Sequence, residues 1–372
     1  MPHDTAAPDL ENYSNGDYQK LEEKEGDRFQ SSAKPAASGT PCYVMPVLAL
    51  SIILGAVAGP IMKSMEQIGA GPIAVASWRH QVSSTMMLPF AVFQWFSMHP
   101  QDRSSAPSWS NFGTICLCAL GLAGHFGLWI WSLDNTSLTH SLFLCIMSPM
   151  FVTLFTFLRD GTVLCAELVG VALGIVGSTI LAAGAKVERD IEFSILGDLA
   201  ALGSGCCFAV YLMCGKNLRG KLPLFVYLWP VNVISMVYLS IALLLFTEVK
   251  LLTAYEDIGI FSWMTEGYVI KTLILGLGPG FFSHVGYNTT LGYVKPLIVS
   301  VGFSVSPVVG SFIGWAMHET GVPGLLTCFG GIVTMAATVW VSHASSQEVK
   351  KPEETSQSLP DEKRPLTQED EP

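Results

Sequence analysis

The chain has 372 residues and only 13% charged side chains, whereas a typical soluble domain carries about 25%. Its mean hydropathy is +0.44, so the composition excludes an ordinary soluble domain and favours a chain that lies mostly within a membrane. The formal net charge of −10 comes mainly from the two ends, since residues 1–41 and 344–372 each hold 8 acidic and 4 basic side chains. Both ends are predicted to be disordered, because such polar segments bury too little apolar surface to fold.

The first apolar run begins beyond residue 42, and Asp4, Asp9 and Glu11 precede it. No signal peptide and no transit peptide is therefore predicted. Of the nine cysteines, all but Cys42 fall inside apolar runs, with neither a CxxC pair nor a Cys/His cluster. They are predicted to be small apolar core residues, and no metal site and no cofactor is predicted.

Long apolar runs are the main feature of the sequence. A membrane helix needs about 20 mostly apolar residues to cross the hydrocarbon, and backbone groups in lipid must be paired within the segment. In chain order, ten membrane-spanning helices are predicted near residues 43–62, 72–96, 112–133, 138–158, 164–184, 197–215, 223–247, 270–291, 296–317 and 322–342.

Lys and Arg near the helix ends set the predicted orientation. With a cytoplasmic N-terminus, nine of them lie on the inner side and five on the outer side. An even number of helices then places both chain ends in the cytoplasm. The chain is expected to be a multi-pass protein of the plasma membrane or an endomembrane.

Short patterns recur in the second half of the chain. Residues 72–78 and 223–229 share Pro, Val and Trp at the same three positions, and Ser148-Pro149 returns 158 residues later as Ser306-Pro307. Two repeats of five helices would enter the membrane from opposite sides, an arrangement typical of secondary transporters. The predicted fold is all-α, with ten transmembrane helices in two inverted five-helix repeats, residues 42–186 and 187–343, between the tails 1–41 and 344–372.

Several segments spread over residues 43–343 together resemble one known family. They are residues 71–79 with Arg79 near the end, residues 125–137, Ser148-Pro149, residues 197–202, residues 284–288, Ser306-Pro307 and the acidic turn at residues 319–321. In order and spacing they resemble the drug/metabolite transporter superfamily, in particular proteins with two EamA-type domains. Asp160-Gly161 and Ser283 depart from the family's usual residues, which weakens any transfer of substrate identity.

The resemblance implies a ten-helix, two-repeat carrier with both ends in the cytoplasm. The substrate class that it implies is broad: amino acids, metabolites, nucleotide-linked sugars or toxic organic compounds.

Ionisable side chains inside the predicted helices are candidates for function, because a charge at the bilayer centre costs at least about 2.5–3.5 kcal/mol. These residues are Arg79, His80, His125, His140 and His284. Arg79 is predicted to bind a carboxylate or phosphate. Its alternative role is structural, with the side chain reaching the membrane surface or pairing with a carbonyl or Glu66. His80 is predicted to be structural.

A second group of candidate site residues combines aromatic and polar side chains. His125, Trp129 and Ser132 share one helix face by their i, i+4, i+7 spacing. On the eighth helix, His284 and Asn288 are four residues apart, and Tyr287 corresponds to Trp129 at an offset of 158. This lining suits a small polar or aromatic solute, and the alternative is ordinary packing. The two histidines are also candidates for a proton relay.

The predicted function is secondary transport of a small metabolite, such as an amino-acid-like solute or organic anion, by alternating access. The alternatives are an exchanger of nucleotide sugars or phosphorylated metabolites in an internal membrane, and a non-transporting scaffold or receptor. No ATP-binding motif and no catalytic constellation occurs within the spans, so no enzyme is predicted. No nucleic-acid partner is predicted either. Small-residue seams, Gly55-xxx-Gly59, Gly170-xxx-Gly174 and Gly310-xxx-Gly314, serve packing within the subunit or in a homodimer.

Overall fold

A computed structural model of the chain describes residues 40–135, 141, 144–184, 194–246, 259–317 and 324–357. The described residues form helices and no strand. In chain order these are α1 (Val44–Ala56), α2 (Ala58–Glu66), α3 (Pro72–Ser97), α4 (Pro100–Ser105), α5 (Trp109–Asn135), α6 (Ser148–Asp160), α7 (Cys165–Gly184), α8 (Ile195–Arg219), α9 (Leu224–Phe246), α10 (Val269–Leu275), a π-helix (Gly276–Ser283), α11 (His284–Leu291), α12 (Pro296–Phe303), α13 (Ser306–Ala316) and α14 (Leu325–Gln357). A short 3₁₀ turn, Ser262–Met264, precedes α10.

Six segments of the described chain are long and apolar enough to cross a membrane, judged by length and composition: Val44–Met62, Trp109–Ser132, Ile195–Arg219, Leu224–Phe246, Val269–Leu291 and Pro296–Ala316. They coincide with the first, third, sixth, seventh, eighth and ninth predicted spans, and they mark a multi-pass membrane protein. Cys165–Gly177 and Cys328–Val341 are shorter apolar stretches within the fifth and tenth. Ten spans, the inverted repeats and the division between residues 186 and 187 stay predictions.

The second predicted span is a long helix, α3, with an unusually polar middle. Six consecutive or nearly consecutive polar side chains are buried there: Ser77, Arg79, His80, Gln81, Ser83 and Ser84. Their presence lowers the hydropathy of the helix and explains why it is not among the six clear membrane spans. The fourth predicted span is represented by α6, since residues 136–140, 142 and 143 lie outside the described part of the chain.

Three helix breaks each fall four residues before a proline. The helical stretches end at Ala56, Cys145 and Phe303, and Pro60, Pro149 and Pro307 cannot donate the N–H that each of these carbonyls would accept. Two of the freed carbonyls point at a glycine on another helix. A Cβ at Gly310 would lie 3.3 Å from the Ala56 oxygen, and one at Gly205 would lie 2.8 Å from the Cys145 oxygen.

The eighth predicted span does not break before its proline but changes helix type there. Pro279 cannot donate to the carbonyl of Leu275, and the helix there widens into the π-helix Gly276–Ser283. In a π-helix the donor lies five residues on, so the Gly280 N–H takes over the role. The Gly- and Pro-rich segment 276–280 thus changes the local helix type.

Close helix packing depends on small residues at two places in particular. α7 lies along α14, where a Cβ at Gly170 would collide with Val341, whereas one at Gly174 would lie 4.0 Å from the Ala337 Cβ. α3 lies against the π-helix, where a Cβ at Gly276 would collide with Val82. The Gly170-xxx-Gly174 seam thus packs within the subunit.

Large apolar side chains are exposed while polar ones are buried, the reverse of a soluble protein. Phe93 and Leu245 are each 72% exposed, whereas Arg79 is 4% and Asn288 0% exposed. Exposed apolar surface on this scale needs a partner, and hydrocarbon is the partner that helices of this length and composition suit. Many of the buried polar residues lie on α3, α5, α8, α9, the π-helix and α11.

Candidate functional site

The Arg79 guanidinium is the charged group at the centre of these helices. Its Nη2 donates to the Pro279 carbonyl at 3.2 Å and to His284 Nε2 at 2.7 Å. Its carbon lies 4.2 Å from the centre of the Phe126 ring, within the range of a cation–π contact. No carboxylate of the described residues pairs with Arg79, so its charge is solvated by a carbonyl, an imidazole and an aromatic face alone.

Local helix geometry brings these groups to Arg79. Gly280 leaves room for α3, because a Cβ there would lie 3.1 Å from Ser83 Cβ and 3.4 Å from Arg79 Cγ. The wider turn of the π-helix presents the Pro279 carbonyl sideways, where Nη2 reaches it. The buried position of Arg79 is therefore a consequence of Gly276, Pro279 and Gly280 together.

A chain of hydrogen bonds leads from Arg79 into the second half of the sequence, and we call these five residues the central polar chain: Arg79, His284, Tyr211, Asn288 and Tyr227. Since Arg79 donates to Nε2 of His284, a neutral His284 carries its proton on Nδ1, which lies 3.2 Å from the Tyr211 hydroxyl. Asn288 Nδ2 also donates to that hydroxyl, and the Tyr227 hydroxyl donates to Asn288 Oδ1 at 2.7 Å. The Tyr211 oxygen thus accepts two bonds, and its own proton has no acceptor among the described residues.

Six rings, which we call the ring cluster, adjoin this chain: His125, Phe126, Trp129, Phe208, Tyr287 and Phe303. His125 is parallel to Trp129 at 6.4 Å and lies 4.8 Å from Phe208. Its Nδ1 lies 3.0 Å from the Ser204 hydroxyl, which donates to the His125 carbonyl at 2.9 Å. His125 is thereby fixed to α8, which supports a packing role beside any role in binding.

Several polar atoms of this region are buried without a hydrogen bond to the described residues. They are Arg79 Nε, the Trp129 indole N–H and the Tyr287 hydroxyl, the last with the Ser283 and Ser306 hydroxyls nearby. A buried donor left unsatisfied costs about 1–3 kcal/mol, and native proteins keep few of them. His80 Nε2 and Ser306 Oγ, beside Phe126 and Tyr287, are likewise buried without a partner among the described residues. Several such atoms in one region indicate a place for a polar solute or water.

Six of the seven predicted site residues come together. Arg79, His284 and Asn288 belong to the central polar chain, and His125, Trp129 and Tyr287 to the ring cluster. Ser132 is buried but lies apart, with its hydroxyl 2.6 Å from the Trp129 carbonyl and also bonded to Ser141. Their role in binding stays a prediction.

His80, which was also named from the sequence, is not in the central polar chain. His80 Nδ1 lies 2.8 Å from the Ala76 carbonyl, and its ring meets Phe126 edge-on at 5.4 Å, which supports the structural role predicted for it. His140 lies outside the described residues.

The sequence interpretation missed several residues of the region, namely Phe126, Phe208, Tyr211, Tyr227 and Phe303. A phenylalanine in an apolar run carries no signal of its own. The two tyrosines did offer one, because a phenol hydroxyl at membrane depth needs a partner. Asn288 accepts a hydrogen bond from the Tyr227 hydroxyl and donates one to the Tyr211 hydroxyl, so it positions both side chains.

Residues 259–263, before α10, contact α3 beside Arg79. The Trp78 indole donates to the Gly259 carbonyl at 3.1 Å, and Gln81 Nε2 donates to the Ile260 carbonyl at 2.9 Å. The Trp263 indole in turn donates to Gln81 Oε1 at 2.7 Å. These bonds cover the side of α3 next to Arg79, which is itself only 4% exposed.

Comparisons with known proteins identify the fold but no family. No protein-family model matches the chain, and no curated protein matches it. Solved structures do match, 29 chains in all. One of them, described only as "Crystal structure of protein", aligns with a TM-score of 0.64 at 13% identity, covering 84% of this chain and 100% of that chain. A likeness at this identity shows a shared fold alone.

Proposed function

We propose that this chain is a secondary transporter that carries a small anionic or zwitterionic metabolite across a membrane. The observation that carries the proposal is the buried Arg79 guanidinium, which has no carboxylate partner among the described residues and an Nε without an acceptor. A buried cation with free donors is matched by a carboxylate or phosphate, which accepts several hydrogen bonds and neutralises the charge.

The ring cluster supports a solute with an apolar or planar body. Trp129 and Tyr287 each combine an apolar face with one buried donor that lacks a partner. A solute bound between Arg79 and these rings would have its charge and its body recognised by different parts of one region. A metabolite that bears a carboxylate on an apolar or planar body matches both Arg79 and the rings. A phosphorylated metabolite matches the charge of Arg79.

The proposed architecture is that of the sequence interpretation: ten spans in two inverted repeats, related to the drug/metabolite transporters, with both chain ends in the cytoplasm. The breaks after Cys145 and Phe303 support the repeat, because they lie 158 residues apart, the same offset as the Ser-Pro pairs. In such carriers one repeat rocks against the other around a site near the midplane.

Proteoliposome flux tests the proposal. The purified full chain is first screened by thermal shift against carboxylates, phosphates and uncharged analogues, since a solute that binds the native state raises its melting temperature. The strongest stabiliser is then measured in uptake. We expect a carboxylate or phosphate compound to be taken up, and Arg79→Gln to lose both the shift and the uptake. Arg159→Gln, at the exposed end of α6, is the matched control.

Two results would contradict the proposal. A carrier that moves its solute equally well with Arg79→Gln has no need of the guanidinium, so the substrate is not recognised as an anion. A folded protein that moves none of the compounds that stabilise it fits the scaffold or receptor alternative instead.

A further inference from the structure

Two cavities join into one groove between α3, α5 and α9. The first, about 470 Å³, lies near the ends of these helices at Trp109. The second, about 280 Å³, continues along α3 and α9 past Leu88 and Pro230. Trp95 and Val226 line both cavities, so the two cavities adjoin at these side chains. None of the predicted site residues lines it, so it is separate from the central polar chain.

Every residue that lines the groove is apolar or aromatic, and its edges are open. Phe96 is 68% and Trp109 88% exposed. α5 and α9 are both long and apolar enough to span a membrane, so the groove faces hydrocarbon. Two adjoining cavities of about 470 and 280 Å³ with apolar linings suit a flexible hydrocarbon chain of the bilayer better than another helix, which is about 10–12 Å across with its side chains.

Basic side chains lie at the end of the groove nearest to Trp109. Arg103 Nη2 donates to the Phe96 carbonyl at 2.7 Å and to the Met98 carbonyl at 3.2 Å, and its guanidinium carbon lies 5.6 Å from the Phe96 ring. Lys221 is exposed and directly precedes Leu222, which lines the first cavity. Asp102 is the neighbouring carboxylate, and these three side chains leave a net positive charge. The exposed Trp109 is placed as tryptophans are at a membrane–water interface.

We infer that this groove is a binding site for an anionic phospholipid of the surrounding bilayer. One acyl chain lies in the groove along Trp95 and Val226, and the headgroup phosphate lies by Arg103 and Lys221. Basic pockets between membrane helices bind anionic headgroups in this way. The inference does not depend on the proposed transport function, since none of its residues belongs to the central polar chain or the ring cluster.

Lipid binding to the purified full chain tests the inference. Native mass spectrometry with equal concentrations of phosphatidylserine and phosphatidylcholine should show phosphatidylserine retained about five-fold more often, the effect of one well-placed cation. Val226→Trp fills the point where the two cavities meet and should remove this retention. Leu245→Trp is the matched control, because Leu245 lies on the same helix and is 72% exposed. Lys221→Gln should reduce the preference for phosphatidylserine, and Arg159→Gln should not.

The inference is overturned if wild-type protein retains the two lipids equally, or if Val226→Trp retains phosphatidylserine like the control. A dimer whose interface covers Val226 would overturn it as well, because a second copy would then occupy the groove. If Val226→Trp does not fold, the exposed Lys221→Gln variant decides the matter, and an unchanged preference counts against the site.

Discussion

Two regions buried in the same bundle are built on opposite principles. The α7–α14 contact uses Gly170 to bring two helices close together, since a Cβ there would collide with Val341. The central polar chain instead buries a guanidinium, an imidazole and an amide that contact one another through a few hydrogen bonds. Close packing is how membrane helices gain stability, whereas a buried charge reduces it. We therefore expect substitutions in the second region to affect function more than stability.

The sharpest test of this comparison is to remove the charge. In Arg79→Met, the lost hydrogen bonds to Pro279 and His284, about 1.5–3 kcal/mol each, oppose a relieved burial cost of at least about 2.5–3.5 kcal/mol. We expect the melting temperature of the solute-free protein to change by only about 4 °C or less. Uptake should fall at least about 30-fold, the equivalent of roughly 2 kcal/mol for a lost buried charge contact.

Thermal unfolding and proteoliposome uptake of the same preparation provide this measurement. A variant that loses folding and uptake in equal measure would show that Arg79 is structural, and the contrast between the two regions would disappear.

The histidines test whether the central region also handles protons. In the double variant His125→Gln and His284→Gln, downhill uptake should persist while its acceleration by a pH gradient is lost, because glutamine does not titrate. If the pH gradient accelerates uptake by the double variant as much as uptake by the wild-type protein, the proton-relay hypothesis is wrong. The single His80→Gln variant is the control, since His80 lies outside the central polar chain.

The opposite region should respond through stability alone. Gly170→Leu forces side-chain atoms into the space of Val341, and overpacking of this kind costs about 1–3 kcal/mol, so a melting temperature several degrees lower is expected. The stabilisation by a bound solute should remain in whatever protein folds. Gly174→Ala is the control and should be nearly neutral, because its nearest neighbour leaves 4.0 Å. An equal loss in both variants would argue against close packing as the cause.

The smallest effect is expected at the surface pair Arg159 and Asp160. The hydrogen bond from Arg159 lowers the pKa of the Asp160 carboxyl below its ordinary value of 3.8. A lowered pKa stabilises the folded state above that ordinary value, and the contribution disappears as the pH falls through the lowered pKa. Asp160→Asn should therefore leave the melting temperature at pH 7 almost unchanged, since the pair is exposed and screened. A shift of several degrees there would contradict this assignment.

How far the sequence predicts the molecule differs between the two regions. Helix positions follow from apolar runs, so α9 at Leu224–Phe246 matches the predicted 223–247 closely. The packing of Gly170 and Gly174 follows from a spacing that places both on one face. Arg79 and His284 stand out because ionisable residues are rare at membrane depth, and the structure joins them directly.

The rest depends on information that spacing does not hold. Ser132 shares a face with His125, but seven residues along a helix are about 10.5 Å, and at that distance its hydroxyl bonds locally instead. The π-helix at Pro279 and the contact of Arg79 with Phe126 depend on which helix lies opposite, and a single sequence gives no contact map. For the same reason Tyr211 and Tyr227 were passed over as parts of apolar runs.

The helix breaks before Pro60, Pro149 and Pro307 have a consequence for where hydrocarbon can reach. A carbonyl that loses its helical donor is unfavourable against lipid tails, and Ala56 and Cys145 are both buried. Gly205 and Gly310 lie against two of these oxygens, because a Cβ there would lie 2.8 Å from the Cys145 oxygen and 3.3 Å from the Ala56 oxygen. A photoreactive probe dissolved in the acyl chains should therefore label Phe93 and Leu245 and leave Ala56, Cys145 and Phe303 unmarked, which would trace the lipid-free side of the bundle residue by residue.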